Sequence, residues 1–226
     1  MTLALVIWDC DGVLVDSEPL ANRVLSRAFQ DAGFPISYQT CVDEMVGLPL
    51  PACFRLAEEW YGRPLPEGFF DLVQESTYQA MRRELQPVAG VRAAIEAVPL
   101  PRCVASSSEL AKIALSLELT GLLELFDDRL YSAEQVPRGK PHPDLFLFAA
   151  ERMGVAPADC AVVEDSFHGA RGAVAAGMRV FGYGAGGFAD QLAASGATVF
   201  HDMAELPSLL GYPEGPIGGV EHGLQK

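Results

Sequence analysis

Leu3-Ala4-Leu5-Val6-Ile7-Trp8 is an unbroken apolar run that stops at Asp9. With no polar residue alternating in it, neither face of the segment can be left in water. It therefore fits a strand covered on both sides in a parallel sheet. Asp9 then stands at the carboxyl end of that strand. Similar runs recur at Arg102–Ala105, Cys160–Val163 and Arg179–Tyr183, each followed by small or polar residues, with helical patterns between them. Two of the helical patterns carry clear stops. Asp144–Met153 closes at Gly154 and Phe167–Ala176 at Gly177, glycine being suited to the left-handed position just past a helix end. Strands alternating with helices predict an α/β fold, a Rossmann-like doubly wound parallel sheet.

The alternation is interrupted once. From about Asp16 to Leu85 there is no strand-like run, and Leu20, Val24, Leu25, Ala28 and Phe29 recur at helical spacing. The expected organisation is a discontinuous α/β core made of residues 1–15 and 86–210, with an α-helical insert, 16–85, that follows the first strand's loop and is joined through two connections that form a hinge. Residues 211–226 are rich in Gly and Pro and are expected to form a loose C-terminal tail.

Charge narrows what such a fold can bind. The chain has 16 Lys+Arg against 30 Asp+Glu, a formal net charge of −14, so its surface repels phosphate backbones and anionic lipid. Nucleic acid and membrane surfaces are excluded as partners, and an anionic ligand needs a locally placed cation, either a basic side chain or a bound metal. The five cysteines, Cys10, Cys41, Cys53, Cys103 and Cys160, have no CxxC spacing and argue against a disulfide framework or a zinc site. The first apolar run is too short to span a bilayer and lacks a basic region before it, so the expected location is cytoplasmic.

In an open α/β sheet the residues that end the strands converge on one crevice. Here they are Asp9 and Asp11 after the first run, Ser106-Ser107-Ser108 after the second, Lys140 in the loop Gly139-Lys140-Pro141, and Glu164-Asp165 after a later one. Carboxylates one residue apart in an extended segment point to the same side, and Gly12 allows a close turn beside them. With Glu164-Asp165 they give the all-oxygen surroundings that suit Mg²⁺. Taken alone, Asp9 and Asp11 also fit a pair of turn-forming acids. Ser106 with Glu109 fits a capping box, and Ser108 is another possible N-cap; a phosphate held at a helix N-terminus uses the same geometry. Lys140 is one of three lysines, with Lys112 and Lys226, and is the fixed cation that a phosphate site among carboxylates needs. His142 and His168 lack partner histidines at ligand spacing and are read as supporting or structural.

The segment Asp9-Cys10-Asp11-Gly12-Val13-Leu14-Val15-Asp16-Ser17-Glu18 resembles the first motif of haloacid dehalogenase-like hydrolases, and Ser106, Lys140 and Glu164-Asp165 are similar to that family's second, third and fourth motifs in order and approximate spacing. Val13 stands where the family usually has threonine, which removes a hydroxyl and no carboxylate. The resemblance covers roughly Leu3 to Leu210. It implies that Asp9 attacks phosphorus to form an aspartyl-phosphate and that Asp11 protonates the leaving alcohol and later activates water. It also implies that Mg²⁺ is held by Asp9, the backbone carbonyl of Asp11 and Asp165 with Glu164 close by, and that Ser106 and Lys140 bind the phosphoryl oxygens.

The helical insert resembles the cap of the subgroup containing β-phosphoglucomutase, phosphonoacetaldehyde hydrolase and small sugar-phosphate phosphatases, which implies that residues 16–85 are a cap domain over a catalytic core. Between Asp16 and Leu85 there is no lysine and no histidine. The resemblance implies cap lysine or histidine chemistry for the mutase and the phosphonate-cleaving enzyme, which arginine cannot supply. The expectation is a Mg²⁺-dependent phosphatase acting on a small phosphorylated metabolite, a sugar phosphate, as a monomer or small homo-oligomer. The alternatives are a phosphosugar mutase and a catalytically silent module that binds a phosphorylated ligand. Glu18, Arg23 and Gly47 of the loop Gly47-Leu48-Pro49 are the candidates for substrate contacts from the cap.

Overall fold

A computed structural model describes residues 2–213. Six strands, β1 (Leu5–Trp8), β2 (Arg102–Ser106), β3 (Leu130–Ser132), β4 (Cys160–Glu164), β5 (Arg179–Tyr183) and β6 (Thr198–Phe200), form one parallel sheet in the order β3-β2-β1-β4-β5-β6. The order reverses beside β1, which lies between β2 and β4. That is the switch point at which ligands bind in such sheets.

The alternation of side chains along β1 accounts for the double cover. Leu5 and Ile7 join an apolar cluster with Leu145 and Phe146 of α7 (Asp144–Met153) and Ala170 and Ala173 of α8 (Phe167–Ala175). Val6 and Trp8 point the other way, into a cluster with Val91 and Ile95 of α5 (Val91–Ala97) and Ile113 and Leu117 of α6 (Leu110–Leu119). Every β1 residue is buried, each large side chain contributing roughly 1.5–3 kcal/mol. A strand that must be dry on both faces can only sit in the middle of the sheet, and this fixes Asp9 at the centre of its carboxyl edge.

Between β1 and α5 the chain forms four helices: α1 (Glu18–Asp31), α2 (Tyr38–Met45), α3 (Leu50–Tyr61) and α4 (Phe69–Glu84). Leu25, Phe29, Phe34, Cys41, Cys53, Phe69 and Val73 make up a third apolar cluster of their own. Phe29 stacks on Phe69 with centroids 5.4 Å apart, and Phe54 meets Phe69 edge-on at 5.1 Å. The outgoing and returning connections run side by side: Val15 bridges Pro87, and Val88 N–H donates to the Leu14 carbonyl at 3.0 Å.

Three local expectations change. The first strand begins at Leu5 instead of Leu3, and β3 and β6 were not foreseen, being three-residue strands whose burial is incomplete. The capping box of Ser106 with Glu109 does not form, nor does Ser108 cap the helix. Glu109 itself is the N-cap of α6 and has no side-chain cap bond, while the Ser106 hydroxyl accepts from Ser108 N–H at 3.2 Å. After β6 come a short helix (Leu206–Leu209) and Tyr212, which packs against the core cluster; the remainder of the expected tail lies outside the described residues.

Candidate active site

The carboxyl ends of β1 and β4 bring Asp9 together with Glu164 and Asp165. Asp9 N–H donates to the Val163 carbonyl at 2.9 Å, which locks the end of β1 to β4, and one carboxylate oxygen from each of the three acids lies within 4.8 Å of the others. Two glycines make this crowding possible. Gly12 has φ +79°, and a Cβ there would sit 1.9 Å from Asp165 Oδ2; at Gly169 in α8 a Cβ would sit 1.7 Å from Glu164 Oε1. Any side chain at either position would displace a carboxylate.

Lys140 reaches the cluster from the loop before α7. Its Nζ donates to Asp9 Oδ1 at 2.7 Å and Glu164 Oε1 at 2.6 Å, and its side chain is only 5% exposed. Glu164 is fully buried, and its other oxygen accepts from the Ser166 N–H at 2.7 Å and hydroxyl at 2.9 Å. Burial works against the Lys140 charge, but Asp9 and Glu164 hold its pKa above the ordinary lysine value. Three carboxylates against one ammonium leave negative charge in excess. Burial pushes the Asp9 pKa up to about 7, with repulsion from Glu164 and Asp11 adding to it, and the Lys140 charge only partly offsets this. Asp165 is raised well above the usual carboxylate range by burial, then by Glu164 and Asp9. Such an over-charged set of hard oxygen donors is what a divalent cation such as Mg²⁺ fits.

Asp11 faces different surroundings. Its Oδ1 accepts from the Ser17 hydroxyl at 2.6 Å and Lys112 Nζ at 3.2 Å, and its Oδ2 from the Ser108 hydroxyl at 2.7 Å and Lys112 Nζ at 3.0 Å. Burial alone would raise its pKa, but the Lys112 charge and these hydrogen bonds together hold it below the ordinary value. Because the Ser17 hydroxyl is committed to Asp11, it does not cap α1.

Ser106 is buried at the end of β2, beside this group in sequence. Beyond Asp11 opens a cavity of about 630 Å³, walled by α1, the loop between α2 and α3, α4 and the start of α6. Glu18 and Gly47, two of the cap candidates, line it, and burial followed by repulsion from Asp11 and Asp16 raises the Glu18 pKa. Arg23 does not: its guanidinium pairs with Glu84 of α4 at 2.5 Å, with both side chains about half exposed, and this structure does not bring it to the cavity. His142 and His168 are exposed. Lys112, Ser108 and Ser17 are the site residues whose association with Asp11 the sequence reading missed. The available signal was the i, i+4 spacing of Ser108 and Lys112 at the start of the helix following β2. All five cysteines are buried and free, and among the described residues no helix is long and apolar enough to cross a membrane.

An enzyme of the phosphoryl-handling α/β type is the class that this sheet, cap and acidic crevice define. The family profile of the haloacid dehalogenase-like hydrolases matches residues 3–177. The chain is 30% identical to 6-phosphogluconate phosphatase of Escherichia coli over 205 residues, covering 90% of this chain and 93% of that one. It is 33% identical to hexitol phosphatase B of the same organism over 183 residues, covering 76% and 80%. A haloacid dehalogenase-like protein of unknown function from Agrobacterium tumefaciens superposes with a TM-score of 0.85 at 36% identity, covering 92% of this chain and 98% of that one. The chain therefore belongs to the haloacid dehalogenase-like hydrolase family, in the subgroup with a helical cap, and is a phosphoric monoester hydrolase.

Proposed function

We propose that the protein is a Mg²⁺-dependent phosphatase of small phosphorylated carbohydrates that works through an aspartyl-phosphate on Asp9. The observation that carries the reading is the buried group of Asp9, Lys140, Glu164 and Asp165 at the switch point of the sheet. The carbohydrate part of the reading is supported by relatives named for 6-phosphogluconate and hexitol phosphates.

In this reading the Asp9 carboxylate attacks phosphorus, an acyl-phosphate bond forms, and the bond from phosphorus to the substrate's bridging oxygen breaks. Asp11, ionised in the free protein, takes up the proton carried by the entering phosphate monoester and gives it to that oxygen as it leaves, then takes one from the water that cleaves the acyl phosphate, releasing inorganic phosphate and restoring Asp9. Lys140 fixes the Asp9 carboxylate and offers positive charge to the transferring oxygens, and the Ser106 hydroxyl binds another of them. Asp9, Asp165 and the backbone carbonyl of Asp11, with Glu164 beside them, would hold Mg²⁺, which when bound supplies the charge neutralisation that lets a phosphate approach these acids. The cavity bounded by α1, α4 and the Gly47 loop takes the carbohydrate part, and movement of the cap about the paired connections at Val15 and Pro87 admits it.

The test is phosphate release from a panel of sugar, sugar-acid and hexitol phosphates, with Mg²⁺ and with EDTA. Release from one or more members that stops on chelation is expected. No release from any member, or release indifferent to chelation, would overturn the reading.

A further inference from the structure

Lys112 is left without a task by the reaction just described, yet it takes up more of the Asp11 carboxylate than any other residue. It comes from α6 of the core, not from the cap, and its Nζ donates to both Asp11 oxygens and to the Ser108 hydroxyl at 3.0 Å. Ser108 donates in turn to Asp11, so acid, hydroxyl and ammonium form a closed triangle. Among the described residues lining the cavity, Lys112 is the only cation, and it stands where the cavity meets Asp11. An exposed pair of this kind would be loose. Here both side chains are nearly three-quarters shielded, at 28% and 27% exposed, and the bridging hydroxyl removes the remaining freedom of the carboxylate.

We propose that Lys112 is a positioning residue: with Ser108 it holds the Asp11 carboxyl in the orientation from which a proton passes to the leaving oxygen of an alkyl phosphate. The inference rests on the phosphatase reading above. In the step concerned, Asp11 has taken up the proton of the entering phosphate monoester; the bond from phosphorus to bridging oxygen breaks, its electron pair stays on that oxygen, and that proton is captured there, so that a neutral alcohol departs and Asp11 returns to the carboxylate that Lys112 neutralises. A sugar alkoxide depends on that proton. A p-nitrophenolate, whose charge is spread over its ring, leaves without it.

The comparison of these two leaving groups is the test. With the sugar phosphate hydrolysed fastest in the panel, Lys112→Gln should lower kcat/KM by ~10²-fold, through kcat more than KM, while p-nitrophenyl phosphate changes by no more than ~3-fold. Lys112→Arg should recover about tenfold of the loss, since it restores the charge and a donor at a shifted position. Added to Asp11→Asn, Lys112→Gln should cost nothing further, because both changes remove the same proton transfer. Equal losses on the two substrates would overturn the inference and mark Lys112 as structural. A raised KM with unchanged kcat would also overturn it, by making Lys112 a substrate-binding group. Wild-type protein that hydrolyses neither substrate would instead overturn the phosphatase reading on which it rests.

Discussion

The two ends of the crevice hold their carboxylates in opposite ways. Around Asp9, three acids share one buried lysine, and burial with mutual repulsion drives Asp9 and Asp165 toward their protonated forms. Around Asp11, one acid takes hydrogen bonds from two hydroxyls and a lysine, and it is held ionised. The difference is in how many donors each acid has, not in residue type or in distance from the sheet. The first end has an excess of negative charge that a cation could complete and the second is complete already, the contrast that the proposed division into a nucleophile at one end and an acid and base at the other calls for.

The sharpest way to break the comparison is Asp9→Asn. It should leave the fold intact and reduce phosphate release by at least ~10³-fold, because the amide has no lone pair suited to the attack on phosphorus; activity near wild type would place the nucleophile elsewhere. Next in size is Lys140→Met. Removing the only cation that Asp9 and Glu164 touch among the described residues should destabilise the metal-free protein by roughly 3–5 kcal/mol, read from chemical denaturation. A loss no greater than that of a surface substitution would mean the acids at this end are not held as a charged group.

The metal itself should sharpen the contrast through pH. The folded Asp9 carboxyl, at about 7, binds a proton more tightly than the unfolded one, so in metal-free protein this group's contribution to stability falls as pH rises from about 4 to about 7. Asp11 runs the other way: its pKa is lowered, so its contribution is present above the unfolded value and is lost in acid. A cation requires the ionised form of Asp9. Mg²⁺ at a hundred times its dissociation constant should add about 2.7 kcal/mol of stability at pH 8, with a smaller gain at pH 6, where protons compete for the same oxygens. A gain that is the same at both pH values would contradict cation binding at Asp9. The smallest effect is expected at Arg23→Ala, an exposed pair outside the cavity, which should shift stability by less than about 1 kcal/mol and leave KM unchanged.

How legible each part was follows from how it is held. β1, β2, β4 and β5 are four- or five-residue strands that need apolar residues on both faces, and they showed in the sequence as continuous runs. β3 and β6 are three-residue strands at the two edges, with only one fully buried residue each, too little for a pattern. The Asp9 end was legible because its members terminate long strands or sit in a distinctive loop. The Asp11 end was not, since Ser17 comes from the connection to the cap and Lys112 from a helix 101 residues away. The expected capping box failed for a related reason: Asp11 draws the Ser108 hydroxyl away from the helix end, and the Ser108 amide takes the Ser106 hydroxyl. The ion pair of Arg23 was not legible because its partner, Glu84, lies 61 residues on, in a helix packed against α1 only in three dimensions.

The claim on which all of this depends is that Asp9 carries the phosphoryl group, and its most direct measurement is a rapid acid quench of the enzyme turning over a labelled sugar phosphate with Mg²⁺, followed by peptide mapping. The account predicts label on the peptide containing Asp9, stable in acid, released by hydroxylamine and missing in Asp9→Asn. Steady turnover with no label on that peptide at any quench time, or label on another residue, would contradict it.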